Sequence, residues 1–324
     1  MKTKQPIPVF FSVDDNYIPF LAVAIRSLIN NLSEPNTCRI HILNTGLNEA
    51  DCQKIRAMET DRVSITFIDV SREVAPIAAQ LNLRDYYTAS IYFRIFIPSL
   101  FPQYHRAIYL DADIVVMGDI ANLYQKPIGN RLVAAIPDAV IASNALYRSY
   151  PELGMGIPYK RYFNSGVMLM NLDQFRMQQI QQKFVYLLNT YGFDTVCPDQ
   201  DYLNVLCRDQ VLYLDKGWNK MAIDNNYDGI PHIIHYNNFF KPWQYNNVAY
   251  RDFFWEYAKQ TDFYETILAL YRSFDWKKKM EHRKGVQQLN ASVEQIIASD
   301  CNFRCTLAEQ PIPDQLCREV VYEA

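Results

Sequence analysis

The sequence predicts an α/β fold that starts as a parallel, doubly wound sheet and ends in a mainly helical C-terminal extension. Three observations carry this. Short apolar, β-branched runs at Ile7–Val13, Arg39–Asn44 and Val63–Val70 alternate with stretches of helical spacing, as βαβ units do. A further run, Ile108-Tyr109-Leu110, delivers Asp111 and Asp113, and a second, Ile114-Val115-Val116, carries the chain away. From about Tyr250 the strand-like runs give way to aromatic, helically spaced and basic sequence. The boundaries that follow are 1–249 for a single catalytic domain and 250–324 for the extension.

Ile7–Val13 ends in Asp14-Asp15-Asn16-Tyr17 and reads as a buried strand with a polar C-terminal tip. Tyr17–Leu32 pairs Phe20/Leu21, Ala24/Ile25 and Leu28/Ile29 at helical spacing, then breaks at Ser33-Glu34-Pro35. In Arg39–Asn44, Ile40 and Ile42 share a face, and His41 reads as a satisfied strand histidine rather than a ligand. Glu49–Thr60 is a helix and Val63–Val70 a third strand. Helical stretches follow near Val74–Leu81 and Thr88–Ile97. The second carries Arg94 among apolar neighbours, where a guanidinium either snorkels to water or is held for an anion.

Beyond the Asp111/Asp113 step come a short helix, Ile120–Tyr124, and a strand, Leu132–Ile136. Asp138–Tyr162 is rich in Ser, Asn, Tyr, Gly and Pro and reads as a loop or mobile lid. Tyr162–Leu172 is a strand whose Gly166 permits close approach, to a ligand or to a neighbouring strand. Gln174–Tyr191 and Pro198–Arg208 are helices. Asp199 and Asp201 lie at the positive end of the second, where plain capping competes with a site role. Val211–Leu214 and His232–Tyr236 are short strands. His232 and His235 face opposite sides of an extended segment, and His235 is preferred because it sits at the strand's C-terminal end, where open α/β sheets bind ligands.

Composition narrows the function. The chain has 324 residues, 49% of them hydrophobic, enough for a well-buried core. A formal charge of −3 argues against nucleic acid as a partner. No apolar run reaches the ~18–20 residues of a membrane span, and no secretory signal is present. Seven scattered cysteines read as reduced thiols of a cytoplasmic protein. Cys301-x3-Cys305 with Cys317 lacks a fourth ligand at zinc spacing. Arg272, Lys277, Lys278, Lys279, Arg283 and Lys284 outnumber Asp275 and Glu281, and with the neighbouring aromatics they suit an anionic membrane surface. A solvated helix end fits the same residues.

The Asp-x-Asp spacing is weak evidence alone, since Asp199-Gln200-Asp201 repeats it. Its setting adds weight. On a strand Asp111 and Asp113 share a face and can aim at one cation, and two ionised carboxylates between buried strands cost several kcal/mol unless something offsets them. Ser12-Val-Asp14-Asp-Asn16-Tyr17, Arg94, Tyr109-Leu-Asp111-Ala-Asp113, Phe163-Asn164-Ser-Gly166, Asp199-Gln200-Asp201 and His235-Tyr-x4-Lys241-Pro-Trp243 follow in that order. Together they closely resemble glycosyltransferase family 8, which includes bacterial lipopolysaccharide and lipooligosaccharide α-galactosyl- and α-glucosyltransferases and, more distantly, the glycogenins. The resemblance runs from about Ile7 to Trp243.

The resemblance implies a Rossmann-like, single-sheet nucleotide-sugar transferase (GT-A) fold and a retaining transfer of a hexose from a UDP-sugar to a hydroxyl. It implies Mn²⁺, with Mg²⁺ as second choice, on Asp111, Asp113 and His235. Asp14, Asn16 and Tyr17, beside Ser12, would hold uracil and ribose. Lys241 would meet the diphosphate, and Arg94, Asp111, Asn164, Asp199 and Gln200 would surround the donor sugar, with Gln200 nearest the anomeric carbon. Asn238 stands where relatives often have a glycine whose backbone meets the diphosphate. The chemistry of the residues agrees: two carboxylates and an imidazole suit a hard or borderline divalent ion, and a lysine adds a point charge on a departing phosphate.

Competing readings are a metal-dependent nucleotidyl- or phosphotransferase, a non-enzymatic nucleotide-sugar binder and a glycogenin-like self-glucosylating protein. The first lacks a G-x-x-x-x-G-K-[ST] loop. Candidate acceptors are a lipid-linked oligosaccharide, a polysaccharide precursor or a glycoprotein glycan.

Overall fold

The computed structural model describes residues 5–79, 81, 89–237 and 239–316. Two sheets organise it. The large one is built from β1 (Ile7–Ser12), β2 (Cys38–Asn44), β3 (Val63–Asp69), β4 (Arg106–Leu110), β6 (Val133–Pro137), β7 (Phe163–Asn171) and β8 (Val211–Tyr213), in the order β3-β2-β1-β4-β7-β6-β8. The small one joins β5 (Ile114–Val116), β9 (Lys220–Met221) and β10 (Ile233–His235) in the order β5-β10-β9. The doubly wound expectation holds through the first four strands of the large sheet, which are parallel. It then gives way to a mixed sheet, because β7 runs antiparallel to both β4 and β6.

Both faces of the middle of the large sheet are covered, so β1, β4, β6 and β7 are buried over nearly their whole length. Val9 and Phe11 of β1 and Ile108 and Leu110 of β4 join one cluster, while the alternating Phe10 and Tyr109 join the other. Helix α1 (Ile18–Asn31) does more than cover a face. Its Ser27 Oγ accepts from Val116 N–H at 2.9 Å and its Asn31 Nδ2 donates to Val116 O at 3.0 Å. Short β5 is thereby satisfied on the side away from β10. Helices α2 (Glu49–Arg56), α3 (Ser71–Val74), α4 (Ile97–Leu100) and α5 (Ile120–Tyr124) complete the first half. The expected helix near Thr88–Ile97 is, over its described part, a 3₁₀ segment at Ala89–Phe96; Thr88 lies outside the described residues.

Two further expectations change. The segment Asp138–Tyr162 is not a plain loop: it contains α6 (Ala145–Gly154), whose first turn is capped by Asn144 Oδ1 accepting from Tyr147 N–H, and Tyr150 is wholly buried. Pro151 inside the helix and the polar residues around it mask its apolar spacing. The helix expected over Gln174–Tyr191 is two helices, α7 (Leu172–Met177) and α8 (Ile180–Tyr191), parted by Gln179 at φ 54°. Glutamine is a competent helix former and gives no sign of that break.

Helix α9 (Pro198–Leu206) follows, then α10 (Arg251–Ala258), α11 (Tyr264–Arg272), α12 (Trp276–Ala298) and α13 (Phe303–Glu309). Phe254, Trp255, Phe263 and Ile267 enter the first cluster, and Val293, Ile296 and Phe303 the second. The helices after residue 250 therefore add to the two existing cores. No helix among the described residues is long and apolar enough to cross a membrane.

Candidate active site

Between β4 and β5 the chain leaves one sheet and joins the other, and Asp111-Ala112-Asp113 is that step. Asp111 N–H donates to Gly166 O at 2.8 Å, and Tyr236 N–H donates to Asp113 O at 2.9 Å. One aspartate is thus fixed to β7 and the other to the chain leaving β10. The two carboxylates converge across a sheet-to-sheet turn, not along one strand face as the sequence predicts. With His235, at the end of β10, they offer ligand atoms that all lie within 4.8 Å of one another.

Three local features fit this group to a divalent cation. His235 Nε2 lies 3.2 Å from Asp113 Oδ1 and 3.8 Å from Asp111 Oδ2. Its Nδ1 lies 2.9 Å from Asn219 Oδ1, a carbonyl oxygen that accepts, which assigns the proton to Nδ1 and leaves Nε2 as the metal-facing atom. At Gly166 a Cβ would clash with both Asp111 Oδ2 and His235 Cε1. The close approach at that glycine is therefore to the acidic cluster itself. His232 packs against Trp218 with ring centroids 4.3 Å apart, away from the cluster.

Lys241 Nζ donates to Asp113 Oδ2 at 2.5 Å and to Tyr236 O at 2.6 Å. Burial raises the Asp113 carboxyl pKa, but Lys241 and His235 outweigh it and hold the group below the usual carboxylate range. Arg94 neither snorkels nor points at open solvent. Its Nη2 donates to Asp111 Oδ1 at 2.9 Å, its Nε lies 3.2 Å from Asp199 Oδ2, and its Nη1 donates to Ser165 O and Oγ at 2.8 and 3.0 Å. The guanidinium lies 4.1 Å over the Tyr109 ring. Burial lowers its pKa, yet Asp111 and Asp199 more than compensate and raise it.

Behind Arg94, the N-terminus of α9 supplies amide and carboxylate groups. Gln200 Oε1 accepts from Asn164 Nδ2 and Ser165 N–H, both at 3.0 Å, and its Nε2 donates to Asp138 Oδ2 at 3.1 Å. Asn164 Nδ2 also donates to Asp138, and Asn219 Nδ2 donates to Asn164 Oδ1 at 2.9 Å. A chain of polar contacts thus runs from His235 through Asn219 and Asn164 to Gln200. Burial pushes the Asp199 carboxyl up to about 6, with Arg94 opposing. Asp201 turns the other way. It accepts from Tyr150 Oη, Tyr162 Oη and the N–H groups of Val196 and Cys197, and burial pushes it up to about 7.

A cavity of about 900 Å³ joins these parts. Every residue the sequence singles out for the site lines it, except Asn238, which lies outside the described residues. Asp14 Oδ1 accepts from Asn16 and Tyr17 N–H, shaping the turn after β1 at one end. Sequence reasoning missed Asp138 and Asn219. Asp138 directly follows β6, a C-terminal strand end like that of Asp14 and Asp111, and that position is the signal that could have found it. Asn219 ends a four-residue 3₁₀ turn and carries no comparable signal.

Comparison with known proteins agrees. The family model described as Glycosyl transferase family 8 matches residues 8–247. General stress protein A of Bacillus subtilis is 27% identical over 81% of this chain and 96% of its own length. A lipopolysaccharide 1,2-glucosyltransferase of Escherichia coli K12 is 28% identical over 77% of this chain and 78% of its own. Among solved structures, an active-site mutant of LgtC superposes with a TM-score of 0.67 at 22% identity, over 79% of this chain and 96% of that one. The bifunctional glycosyltransferase WbbM gives 0.71 at 24%, over 84% of this chain but only 53% of its own length. The mixed central sheet with flanking helices is the GT-A-like arrangement of these neighbours.

Proposed function

Because the chain belongs to glycosyl transferase family 8, we propose that it moves a hexose, glucose or galactose, from a UDP-sugar to a hydroxyl of a glycan or glycoconjugate with retention of configuration. The observation that carries this reading is the convergence of Asp111, Asp113 and His235 beside Lys241 and Arg94 in one cavity with Tyr17. A divalent ion, Mn²⁺ or Mg²⁺, supplies charge neutralisation for a diphosphate leaving group when bound. Relatives named as lipopolysaccharide glucosyltransferases support a glycoconjugate acceptor.

In this reading the chain's own residues divide the work. Asp14, Asn16 and Tyr17, with Ser12, hold the nucleoside. Asp111, Asp113 and His235 would hold the cation, and Lys241, which donates to Asp113 Oδ2, would offer its ammonium to the diphosphate. Arg94, Asn164 and Asp199 bind donor hydroxyls, so a sugar lacking one leaves a buried polar group unsatisfied. Gln200 faces the anomeric centre. Its amide oxygen, already accepting from Asn164 and Ser165, is a poor nucleophile. That favours a front-face route: the acceptor oxygen bonds to the anomeric carbon as the bond to the phosphate oxygen breaks, and the hydroxyl proton leaves on that phosphate. A glycosyl-enzyme trapped on Gln200 or Asp199 would refute it.

The same reading keeps the protein in the cytoplasm, with peripheral attachment to the anionic inner face of the cell membrane. Trp276, 69% exposed, and Met280 stand among Lys277, Lys279 and Arg283 and support this. Flotation with phosphatidylglycerol vesicles that weakens with salt tests that part. The deciding experiment is incubation with UDP-glucose and UDP-galactose in Mn²⁺: UDP release is expected, and pyrophosphate release would instead mark a nucleotidyltransferase.

A further inference from the structure

The residues discussed so far account for one side of the cavity. The facing wall comes from chain beyond residue 247, where the family match ends. It includes Phe274 and, on α12, Lys278, His282, Gln288, Leu289 and Ser292. These positions recur at helical spacing, so a single stripe of α12 faces inward along about 22 Å of helix axis, counted to Val293. Trp276, Lys277 and Met280 lie off that stripe and are exposed.

The stripe changes character along its length. Near the Lys241 loop it is aromatic: the His282 ring lies 5.0 Å from Phe274 and 5.8 Å from Phe239. Toward α6 it becomes amide, hydroxyl and aliphatic. That end is docked firmly, since Tyr147 Oη donates to Asn290 Oδ1 at 2.8 Å and a Cβ on Gly154 would rest 3.6 Å from Ile296. Tyr147 itself lines the cavity, and its helix hangs from the segment that starts at Asp138, the partner of Gln200. The amide-hydroxyl end therefore belongs to the Gln200 side.

We propose that this stripe of α12 is the acceptor site, and that it takes a neutral oligosaccharide lying along the helix with its terminal hydroxyl toward Gln200. The inference rests on the glycosyl-transfer reading above. Amide and hydroxyl groups complement sugar hydroxyls, and aromatic faces complement the apolar faces of sugar rings. The charged lining groups of the stripe, Lys278 and Glu281, have opposite signs and select no net charge. A stripe of this length outreaches a single pyranose ring.

The test uses the full chain with Mn²⁺ and UDP-glucose or UDP-galactose, following UDP release with short neutral oligosaccharides, monosaccharides or uronic-acid oligosaccharides added. Neutral oligosaccharides should stimulate most. Gln288→Ala and Ser292→Ala should each raise the oligosaccharide KM about tenfold and the donor KM less than about twofold, the pattern of one lost acceptor hydrogen bond. Glu294→Ala, exposed and off the stripe, should change neither. Stronger stimulation by monosaccharides or acidic glycans, no stimulation by any neutral oligosaccharide, or an equal rise in both KM values would overturn the assignment. Failure of the underlying reading looks different: no UDP release under any condition.

Discussion

Asp111 and Asp113 flank a bend where one sheet passes the chain to another; Asp199 and Asp201 stand in the first turn of α9. In the first setting the carboxylates converge on one centre with an imidazole. In the second, positions two apart on a helix diverge by about 200°. Asp199 meets Arg94 at the cavity, while Asp201 is fully buried among Tyr150, Tyr162 and backbone N–H groups. The same triplet spacing thus builds a candidate cation site in one place and a structural core group in the other. Spacing acquires chemical meaning only once the backbone that carries it is known.

The comparison is broken most directly by removing one carboxylate from each pair. Asp113→Ala should lower Mn²⁺-dependent UDP release about 1,000-fold, since it deletes a charge that balances several kcal/mol in the transition state. Asp201→Asn should leave that rate within about threefold, because the amide keeps an acceptor for the three donors that share one oxygen. Equal losses, measured by coupled UDP detection, would erase the distinction.

Next in size is a pH effect of the helical pair. A carboxyl raised to about 7 in the fold binds a proton that the unfolded chain has already released above its ordinary value near 4. Between those two values the folded state holds more protons, so stability falls as pH rises and levels off above 7. The fall attributable to Asp201 is up to about 4 kcal/mol. The buried His41 imidazole, pushed down to about 4, acts in the opposite direction in both proteins. Urea denaturation at pH 4, 5.5 and 7.5 should therefore show the Asp201 contribution as the difference between wild type and Asp201→Asn, shrinking as pH rises; parallel curves would mean that the buried group does not titrate there.

Gly166→Ala sharpens the other side. Its Cβ would press on Asp111 and His235, so Mn²⁺ affinity in the presence of UDP should fall about 30-fold, with a stability loss of about 1–3 kcal/mol. Calorimetric titration reads the first and thermal melting the second. Unchanged affinity would mean that the cluster has slack the geometry does not show.

Most of this was legible where local pattern and topology agree. The parallel start follows from the alternation of strand and helix, and His235 over His232 follows from extended geometry at a strand's C-terminal end. Gly166 was legible as a close approach but not as to what. What stayed hidden depends on distant partners. The turn of β7 to antiparallel leaves no mark in its own residues, nine in a row of which eight are buried. Arg94 could not be placed from its neighbours, because its carboxylates come from Asp111 and Asp199. Helix α6 was masked by Pro151 and polar sequence, and its long-range neighbour α12 lies more than a hundred residues on.

Asn219 is the case where a hidden residue bears on the comparison. It is buried, and it joins the His235 imidazole to Asn164 with 2.9 Å contacts on both sides. Neither member of the helical pair has an imidazole held in this way. In Asn219→Ala the Nδ1 proton loses its acceptor, and the ring is no longer held to one tautomer, so Nε2 presents its lone pair to the acidic pair only part of the time. Outer partners of metal-binding histidines are worth about 10–100-fold in affinity, and the lower end is expected here because the two carboxylates remain. Asn219→Asp keeps the accepting oxygen and should recover most of the loss, while giving up the donor to Asn164. The free Mn²⁺ signal in electron paramagnetic resonance, titrated with UDP present, measures both variants. If Ala and Asp weaken binding equally, the orienting role belongs to the packing around His235 rather than to the hydrogen bond.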